Sequence, residues 1–485
     1  MSAGTQVGAK LAAEGIEPAV GGGARPARPE RGETVELTIE RLAHGGEGVA
    51  RYGDGGYVVF VSGGVPGDRV RAEIVKRKRS YAHARTLEVV EPSADRIPET
   101  AAHPGVAWQV LPYERQLQIK AEQVDDALRR IGRLDGYELE PIVPALQQWR
   151  YRNKLEYSFG AAEDGELVCG FHAPGGWKRV EPIEDCLLAS ELGNRAREIA
   201  LRWAREQRLR AWDRRRESLA SEEPLLRNLV VREGRRSGRL QVRLVSSDGE
   251  LDAASLAQAL VAELGEEAVS GVLWTRTAAL AETTLGGETE LVWGEAELPE
   301  RLGDLDLYIS AEAFFQTNTE MAEVLYGVAA EYASLEGWER VYDLYCGIGT
   351  IALTLAPRAG EVWGIELIEP AVADAIASAK RNEIRNARFF AGDARLALPE
   401  LLERAGRPDV VVVDPPRAGL SQKVVRRLLD CSPKRIVYVS CNPTTLAPNA
   451  AQMVEAGWRL VKVRPVDMFA QTPHIECVAL LERDR

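Results

Sequence analysis

The chain opens with short stretches in which apolar and polar residues alternate. From Gly32 to about Glu91, runs such as VELTIERL and GYVVFVSGG are separated by Gly and Pro. Alternation with a period of two predicts half-buried strands, and the turn residues predict a small antiparallel, OB-like barrel over residues 32–92. Residues 1–31 are rich in Gly, Ala and Pro, so we expect a disordered leader there.

Two periodicities are mixed in the middle of the chain. From Tyr113, YERQLQIKAEQVDDALRRIGRL has the apolar spacing of an amphipathic helix, whereas LEYSFGAA and LQVRLVSS alternate as strands do. Residues 93–310 are therefore predicted to form a linker and a central α+β domain.

Continuous apolar stretches separated by helical segments fill the last part of the chain, residues 311–485. They are VYDLYC, EVWGIE, RFFAGD, DVVVVDPP, RIVYVSC, WRLVKVRP and HIECVALLE. Strands buried on both faces have this appearance, so the pattern predicts an α/β domain with a seven-stranded, mostly parallel sheet. The predicted fold class is thus a multidomain protein.

Composition supports a soluble globular protein: 45% of the 485 residues are hydrophobic and 28% are charged. No run approaches the roughly 18 consecutive apolar residues that predict a membrane span. The six cysteines lack the spacing of a disulfide scaffold, which favours the reducing cytoplasm. The five histidines show no zinc-binding spacing, so no metal site is predicted.

The net charge of −12 argues against a protein coated uniformly with nucleic acid. One segment is nevertheless basic, because Glu73 is the only acid between Arg69 and Arg85. Such a cluster suits phosphates, although a solvated strand face explains it equally well. The candidate RNA-binding residues are Arg71, Lys76, Arg77, Lys78 and Arg79.

A glycine turn follows the first apolar strand of the C-terminal region. Gly347 and Gly349 lead from VYDLYC into an apolar helix, and the next strand ends in Glu366. Glycines allow a ligand to approach the backbone, and an acid at this distance can accept hydrogen bonds from ribose hydroxyls. The order of elements indicates nucleotide-type binding, with a dinucleotide and S-adenosylmethionine both open. A merely tight turn is the alternative.

Asp414 lies at the end of the apolar strand DVVVVDPP and precedes two prolines that restrict the loop. Ligands of open α/β sheets gather at such strand ends. A D-P-P loop there is typical of methyltransferases that act on nucleobases, so it favours S-adenosylmethionine over a dinucleotide. An acid that caps a helix is the alternative.

Cys441 follows another apolar strand, in RIVYVSCNPTTLA, where Asn442 and the hydroxyls of Thr444 and Thr445 could lower the pKa of a thiol. Glu476 begins the last apolar stretch, although acids are disfavoured inside strands. These features indicate that both residues belong to a functional site. An exposed edge strand is the alternative for Glu476.

Together these motifs resemble the RNA uracil-C5 methyltransferase family, and within it the bacterial 23S ribosomal RNA members that carry a TRAM domain. The matching pieces are the TRAM-like barrel, WRYRNKLEYSFG, FFQTN, DLYCGIGT, DPPRAG, SCNPTTLA and TPHIECV. The resemblance implies a Rossmann-like class I methyltransferase domain at the C-terminus and S-adenosylmethionine as cofactor.

The resemblance also implies residue roles. Cys441 would attack C6 of a uridine, and Glu476 would remove the C5 proton after methyl transfer. The implied cofactor contacts are Gln316, Tyr345, Gly347, Thr350, Glu366, Asp393 and Asp414. Asp414 could also meet the uracil edge, and the segment after Gln316 doubles as a helix-capping box. The base must be single-stranded or flipped out of a helix to be reached.

One departure from the family concerns iron. Ribosomal members usually hold a [4Fe-4S] cluster, but the matching segment, ETAAHPGVAWQVLPYERQ, contains no cysteine. Only Cys186 resembles one of the four ligands, so we expect no cluster, with apolar packing by Trp108 and Val110 in its place.

The TRAM-like barrel favours 23S ribosomal RNA as the partner, since transfer-RNA members generally lack it. A tRNA uridine-C5 methyltransferase, a non-catalytic RNA-binding scaffold and a cytosine-C5 methyltransferase are the alternatives. Cys441 and Glu476 together speak against a scaffold, and the proline after the cysteine speaks against a cytosine enzyme. We expect a cytoplasmic monomer without a membrane association.

Overall fold

The computed structural model of the chain describes residues 27–54, 56–173, 176, 179–213, 223–281 and 283–483. The predicted disordered leader lies outside these residues as far as residue 26. Three sheets of six or more strands follow one another along the chain, with one two-stranded sheet between the second and the third.

The first sheet is the N-terminal barrel, where alternate residues are buried, as in the first strand. Its strands are β1 (Thr34–Thr38), β2 (Arg41–Leu42), β3 (Gly48–Tyr52), β4 (Tyr57–Ser62), β5 (Arg69–Arg77) and β6 (Tyr81–Glu91). They are ordered β1-β5-β6-β4-β3-β2, and one apolar cluster is shared by five of them. The prediction of a purely antiparallel barrel is wrong for one pair, because β4 and β6 run parallel.

Helix α1 (Tyr113–Asp126) connects the barrel to the rest of the protein and continues into one π-helical turn, Ala127–Ile131. The next strands are β7 (Glu138–Leu139), β8 (Lys154–Ala161), β9 (Leu167–His172), β10 (Val180–Pro182), β11 (Arg210–Ala211), β12 (Leu225–Gly234), β13 (Arg239–Ser246), β14 (Val269–Arg276) and β15 (Glu288–Gly294). Except for β7, they form the central sheet, ordered β10-β9-β8-β12-β13-β14-β15 with β11 beside β12. Helices α2 (Glu191–Glu206) and α3 (Ala253–Leu264) pack on it, as expected for an α+β domain.

A hairpin and the C-terminal α/β domain complete the chain. The hairpin strands are β16 (Glu297–Leu302) and β17 (Leu305–Ser310), whose leucines join the core of the α/β domain. The domain's strands are β18 (Arg340–Leu344), β19 (Glu361–Glu366), β20 (Ala387–Ala391), β21 (Val410–Val413), β22 (Arg435–Ser440), β23 (Trp458–Val466) and β24 (Glu476–Arg483). Its helices are α4 (Thr319–Ala333), α5 (Thr350–Leu355), α6 (Glu369–Arg381), α7 (Ala394–Ala405), α8 (Gln422–Cys431) and α9 (Pro443–Glu455).

The sheet of this domain has eight strands in the described residues, ordered β20-β19-β18-β21-β22-β24-β23-β7. Seven had been predicted from the apolar stretches. The eighth, β7, comes from the linker and has two residues, too few for a periodic signal. Strands β18 to β22 run parallel, whereas β24 is antiparallel to both of its neighbours. Separate apolar clusters cover the two faces of this sheet.

Candidate active site

Strand pairing brings Cys441 and Glu476 together. Strands β22 and β24 are antiparallel, and Ser440 at the end of β22 pairs with Cys477. Cys441 directly follows Ser440, Glu476 directly precedes Cys477, and the charge of Glu476 raises the pKa of Cys441, so the two side chains lie near each other. Directly opposed residues of an antiparallel pair have Cα atoms about 4.5–5.5 Å apart and side chains on the same face. The nucleophile and the base predicted from separate motifs are therefore neighbours.

The Cys441 thiol is partly exposed, unlike the other five cysteines, which are buried. Burial and the nearby Glu476 raise its pKa to about 11, and Arg417 opposes the rise. The neighbouring hydroxyls do not serve the thiol as expected. Thr444 donates to the Asn442 carboxamide at 2.7 Å, and Thr445 donates to backbone carbonyls. Arg417, rather than these hydroxyls, is the group that favours the thiolate.

Glu476 is only 3% exposed, and its Oε2 has no hydrogen-bond partner. Burial raises the pKa of its carboxyl group well above the usual range, and the charge of Asp414 adds to the rise. An edge strand exposed to solvent is thereby contradicted, because β24 lies between β22 and β23. A buried carboxyl group without a hydrogen-bond partner is energetically unfavourable, so its presence indicates a functional role. Accepting a proton is such a role.

Asp414 lies at the carboxyl end of β21, between the glycine turn and the Cys441 loop. Its backbone N–H donates to the Leu344 carbonyl at 3.4 Å, and burial raises the pKa of its carboxyl group to about 7. The loop that follows is tied to the Cys441 loop, because Asn442 Nδ2 donates to the Arg417 carbonyl at 3.0 Å. This hydrogen bond thus joins the loop after β21 to the loop after β22.

Arg417 and His474 were missed by the motif reasoning. The Arg417 guanidinium lies 2.9 Å from His474 Nδ1, which must accept this bond because arginine only donates. Burial and Arg417 lower the pKa of His474 to about 4, which keeps the ring neutral and able to accept. Their position in the sequence, after D-P-P and before Ile475 and Glu476, was the available signal.

The loop before Glu476 is held by a buried ion pair. Lys120 of α1 lies 2.6 Å from Asp467, and both side chains are fully buried. Tyr113 donates to the other oxygen of Asp467 at 2.8 Å, and Lys120 also donates to the Phe469 carbonyl at 3.1 Å. The linker helix therefore fixes the loop that carries His474 and leads into Glu476.

The glycine turn has the geometry of a ligand cradle. Gly347 donates its N–H to Glu366 Oε2 at 3.1 Å, and a Cβ at Gly347 would meet nothing within 4 Å. Gly349 has a φ of +82°, and a Cβ there would come within 2.9 Å of the Phe389 ring. Close packing against Phe389 therefore requires glycine at residue 349. At Gly347 the missing side chain leaves open space beside Glu366.

Further polar groups surround this cradle. Tyr345 has a raised pKa, first because of burial and then because of Asp393 and Glu366, so the three predicted residues lie together. Asp393 also caps α7 by accepting from the Arg395 N–H at 2.8 Å. Asp343, which motif reasoning did not single out, is fully buried and has one oxygen without a partner. An open turn, a ribose-accepting acid and an orphaned carboxylate oxygen fit a polar nucleoside cofactor.

Gln316 precedes the glycine turn in the sequence, Thr350 follows it directly, and both are buried. Thr350 donates to the Tyr326 hydroxyl at 3.1 Å. Burial and then the charge of Asp414 raise the pKa of Tyr326. Its hydroxyl therefore lies near Asp414 as well as near Thr350. The Gln316 carbonyl accepts from Asn153 of the central domain at 2.8 Å.

A histidine occupies the position next to Cys186. His103 Nε2 lies 3.2 Å from the Cys186 sulfur, while His103 Nδ1 accepts from the Gly105 N–H at 3.0 Å. Trp108 and Val110 are buried as expected, but they pack with residues of the barrel and α1. The apolar packing expected of these two residues therefore joins the linker to the barrel and to α1. In the part of the chain that the structure describes, no three His, Cys, Asp or Glu side chains are grouped as metal ligands.

The predicted RNA-binding residues of the barrel fall into two groups. Arg71 is in an ion pair with Glu88. Lys76, Arg77, Lys78 and Arg79 are exposed around the tip of the β5–β6 hairpin, and the structure shows no ion pair for them within the described ranges. The four tip residues are thus available for phosphates, whereas Arg71 is compensated. Among the described residues, every helix is too short or too polar to cross a bilayer.

Comparisons with known proteins show the family of the chain. A family described as tRNA (Uracil-5-)-methyltransferase matches residues 302–484, and the TRAM domain matches residues 28–87. An uncharacterized RNA methyltransferase of Halalkalibacterium halodurans is 36% identical over 93% of this chain and 97% of its own length. Another, from Chlorobaculum tepidum, is 38% identical over 94% of this chain and 98% of its own length.

A solved structure extends the similarity to the fold. The Pyrococcus abyssi tRNA (uracil-54, C5)-methyltransferase in complex with S-adenosyl-L-homocysteine has a TM-score of 0.74 and 28% identity. The match covers 92% of this chain and 99% of that chain. The chain therefore belongs to the RNA uracil-C5 methyltransferase family and is an RNA methyltransferase with a TRAM domain, as the motifs predicted.

Proposed function

We propose that this enzyme methylates C5 of a uridine in 23S ribosomal RNA, with Cys441 as nucleophile and Glu476 as base. The observation that supports the proposal is the pairing of Ser440 with Cys477 next to these two residues, where the charge of Glu476 raises the pKa of Cys441. A thiol and a carboxyl group on one face can act on adjacent carbons of one pyrimidine ring.

The chemistry begins at C6 of the uracil. The Cys441 thiolate forms a bond to C6, and the C5–C6 electron pair moves toward the O4 carbonyl, which makes C5 nucleophilic. After C5 has been methylated, Glu476 takes the C5 proton. The electron pair of that C–H bond restores the C5–C6 double bond, the bond between C6 and the sulfur breaks, and Cys441 leaves as a thiolate.

Arg417 supports both stages. Its positive charge favours the Cys441 thiolate, and it also favours ionised Glu476. His474 acts as a positioning residue, because its neutral ring accepts from the guanidinium at 2.9 Å and holds it toward the edge. Asp414, with a pKa of about 7, lies near enough to Cys441 and Glu476 for its charge to raise both of their pKa values, and we assign it to the uracil edge or to the cofactor.

The residues fitted to hold the cofactor are Gly347, Glu366, Tyr345, Asp393, Thr350 and Gln316. S-Adenosylmethionine supplies the methyl group as an electrophile bound to a sulfonium. Glu366 is suited to accept hydrogen bonds from the ribose, because it is anchored by the Gly347 and Ile368 N–H groups.

The barrel supports an RNA substrate through the exposed cations of its hairpin tip, and the target base must leave its stack to reach Cys441. A transfer RNA is the second candidate, because the matching Pyrococcus abyssi enzyme is a tRNA methyltransferase. In either case we propose a cytoplasmic monomer that needs no iron-sulfur cluster.

The test is to map 5-methyluridine in ribosomal and transfer RNA from cells with and without the gene. Loss of one or more 23S sites supports the proposal, loss of a tRNA site moves it to the second candidate, and no lost site contradicts both. In vitro, the Glu476→Gln variant with methyl donor should accumulate a covalent RNA complex that resists denaturing electrophoresis, because elimination is blocked. Cys441→Ser should form none, and a complex with Cys441→Ser would exclude this nucleophile.

A further inference from the structure

A cavity of about 310 Å³ lies between the central domain and the segment that leads into α4. Strands β8, β9 and β12 supply one wall and the FFQTN segment supplies the other. Its lining includes Arg152, Lys154, Glu156, Phe171, Arg232 and Phe314. We call it the basic-aromatic cleft. Its volume is near the lower limit of small-ligand pockets, so one nucleotide fits and a duplex does not.

The cleft carries more positive than negative charge. Lys154 is paired with Glu156 at 2.6 Å. Among the described residues, Arg232 donates to two backbone carbonyls, those of Ser310 and Ala313, at 3.0 and 2.7 Å. The Nε of Arg152 is buried without a hydrogen-bond partner. Burial and then Arg232 lower the pKa of Lys154, as expected where cations are crowded. An anion in the cleft would relieve this crowding.

Aromatic rings provide the second component. Phe314 is 67% exposed, which is unusual for a large apolar side chain at the lip of a cavity. Phe171 lines the cleft and packs on Tyr157 with ring centroids 5.1 Å apart. Exposed aromatic rings beside cations are typical of proteins that bind single-stranded RNA, because the bases stack on the rings while the phosphates contact the cations.

The cleft is connected to the active site through Arg152. The Arg152 guanidinium lies 5.9 Å from the centre of the Phe469 ring, in the loop that leads to His474 and Glu476. On the other wall, Asn318 donates to the Met468 carbonyl of the same loop at 2.9 Å. Arg152 on one wall and Asn318, next to Thr317 of the other wall, thus both contact the loop that leads to Glu476.

We propose that the basic-aromatic cleft binds a nucleotide that flanks the target uridine, with its base on Phe314 and its phosphate against Arg152 and Lys154. This inference rests on the proposed action on RNA and adds a contact separate from the barrel tip. It gives the enzyme a way to select single-stranded sequence next to the target, because a paired neighbour could not enter the cleft.

The test is direct binding of a fluorescein-labelled nine-nucleotide oligouridylate to the full chain, followed by fluorescence anisotropy. Cys441→Ser is the background, so that covalent trapping plays no part. Phe314→Ala should weaken binding about tenfold, the scale of one lost stacking contact. Arg152→Gln should lower the slope of log K against log salt by about 0.7, the value for one phosphate contact on a single strand, and Lys154→Gln should lower it less because Lys154 is already paired with Glu156.

Matched controls are Trp338→Ala and Lys434→Gln. Trp338 is also an exposed aromatic residue, at 56%, and Lys434 is an exposed lysine, but both lie at the opposite edge of the α/β sheet, before β18 and β22. Equal RNA affinities for the cleft variants and these controls would overturn the proposal. Affinity for S-adenosylhomocysteine, measured by calorimetry, should stay unchanged, and its selective loss would assign the cleft to the cofactor instead.

This outcome is independent of the methylation assay. If the cleft variants bind oligouridylate normally while the Glu476→Gln complex forms, the cleft proposal fails and the proposed function stands. If no covalent complex forms but Phe314→Ala still weakens binding tenfold, the cleft stands and the catalytic proposal fails.

Discussion

The candidate active site around Cys441 and Glu476, here called the catalytic edge together with the Lys120–Asp467 pair, depends on charged side chains. The tip of the barrel hairpin does so too, but the two regions differ in burial. At the edge, Glu476 is 3% exposed and Lys120 and Asp467 are fully buried as a pair. At the tip, Lys76 and Lys78 are exposed in the β5–β6 hairpin. One region places charge where water is excluded, and the other places it where water surrounds it.

This difference predicts different energetics. Buried charges interact strongly and are screened little by salt, so the loss of one partner is costly. Exposed charges contribute small amounts that fall with ionic strength. Substitutions at the catalytic edge should therefore act individually and strongly, whereas substitutions at the tip should act weakly, additively and in a salt-dependent way.

The largest effect is expected for the nucleophile. Cys441→Ser should lower the single-turnover methylation rate by about 10⁴-fold or more, the scale seen when a catalytic nucleophile is removed. Cofactor affinity should not change, because Cys441 is proposed to act on the uracil. Cys431→Ser is the matched control, since its thiol donates to the Arg427 carbonyl at 3.1 Å and a hydroxyl can do the same. Comparable rates for the two variants would remove Cys441 from the chemistry.

The next largest effect concerns stability. Lys120→Met should lower the free energy of unfolding by about 3–5 kcal/mol, because it leaves Asp467 buried without its cation. Lys434→Met removes an exposed lysine 3.1 Å from Asp409 and should cost less than about 1 kcal/mol. Denaturant titration followed by tryptophan fluorescence measures both. Equal losses would show that burial of the pair is unimportant.

A smaller effect is expected at Arg417. Because the pKa of Cys441 is about 11, its alkylation by iodoacetamide should accelerate roughly tenfold for each pH unit between about 7 and 9. Arg417→Gln removes the charge that lowers this pKa, so alkylation at pH 8 should slow by up to about tenfold. Arg417→Lys should retain much of the rate, since the charge remains.

Peptide mass spectrometry reports the alkylation of each cysteine separately. The five buried cysteines are internal controls and should react slowly at every pH tested. A rate that levels off below about pH 8 would mean that the thiol is already ionised, which contradicts the raised pKa.

The smallest effect belongs to the hairpin tip. Lys78→Gln should weaken binding of single-stranded RNA a few-fold at low salt and reduce the salt slope by about 0.7. Arg71→Gln should change neither quantity much, because Arg71 is already in an ion pair with Glu88. Titrations at several salt concentrations test both variants. An equal or larger effect of Arg71 would show that this pair opens to meet RNA.

The motifs of this chain predicted much of the candidate site, because the chemistry requires particular residue types in short contiguous runs. Gly347 and Gly349, the D-P-P loop, Cys441 and Glu476 could each be identified locally. Arg417 and His474 lie within the same runs but were missed, because their importance depends on a 2.9 Å contact between two loops.

Long-range contacts explain the other differences. The eighth strand, β7, pairs with β23 through only two residues, Lys462 and Val463. The contact between His103 and Cys186 joins residues 83 positions apart, and the packing of Trp108 and Val110 depends on the barrel and α1. Periodicity and spacing carry no information about such partners, because each partner has a pattern of its own.

The sequence by itself determined the order of the barrel, the central sheet and the C-terminal sheet, the apolar strands of that last sheet and the residue types of the candidate site. Those features follow from local periodicity and from chemistry that only certain side chains can perform. Only the tertiary structure decided that Glu476 and Arg417 lie near Cys441, that Glu476 is buried, and that the basic-aromatic cleft forms between the central domain and the segment before α4. Burial and strand register set those properties, and both arise when distant segments pack together.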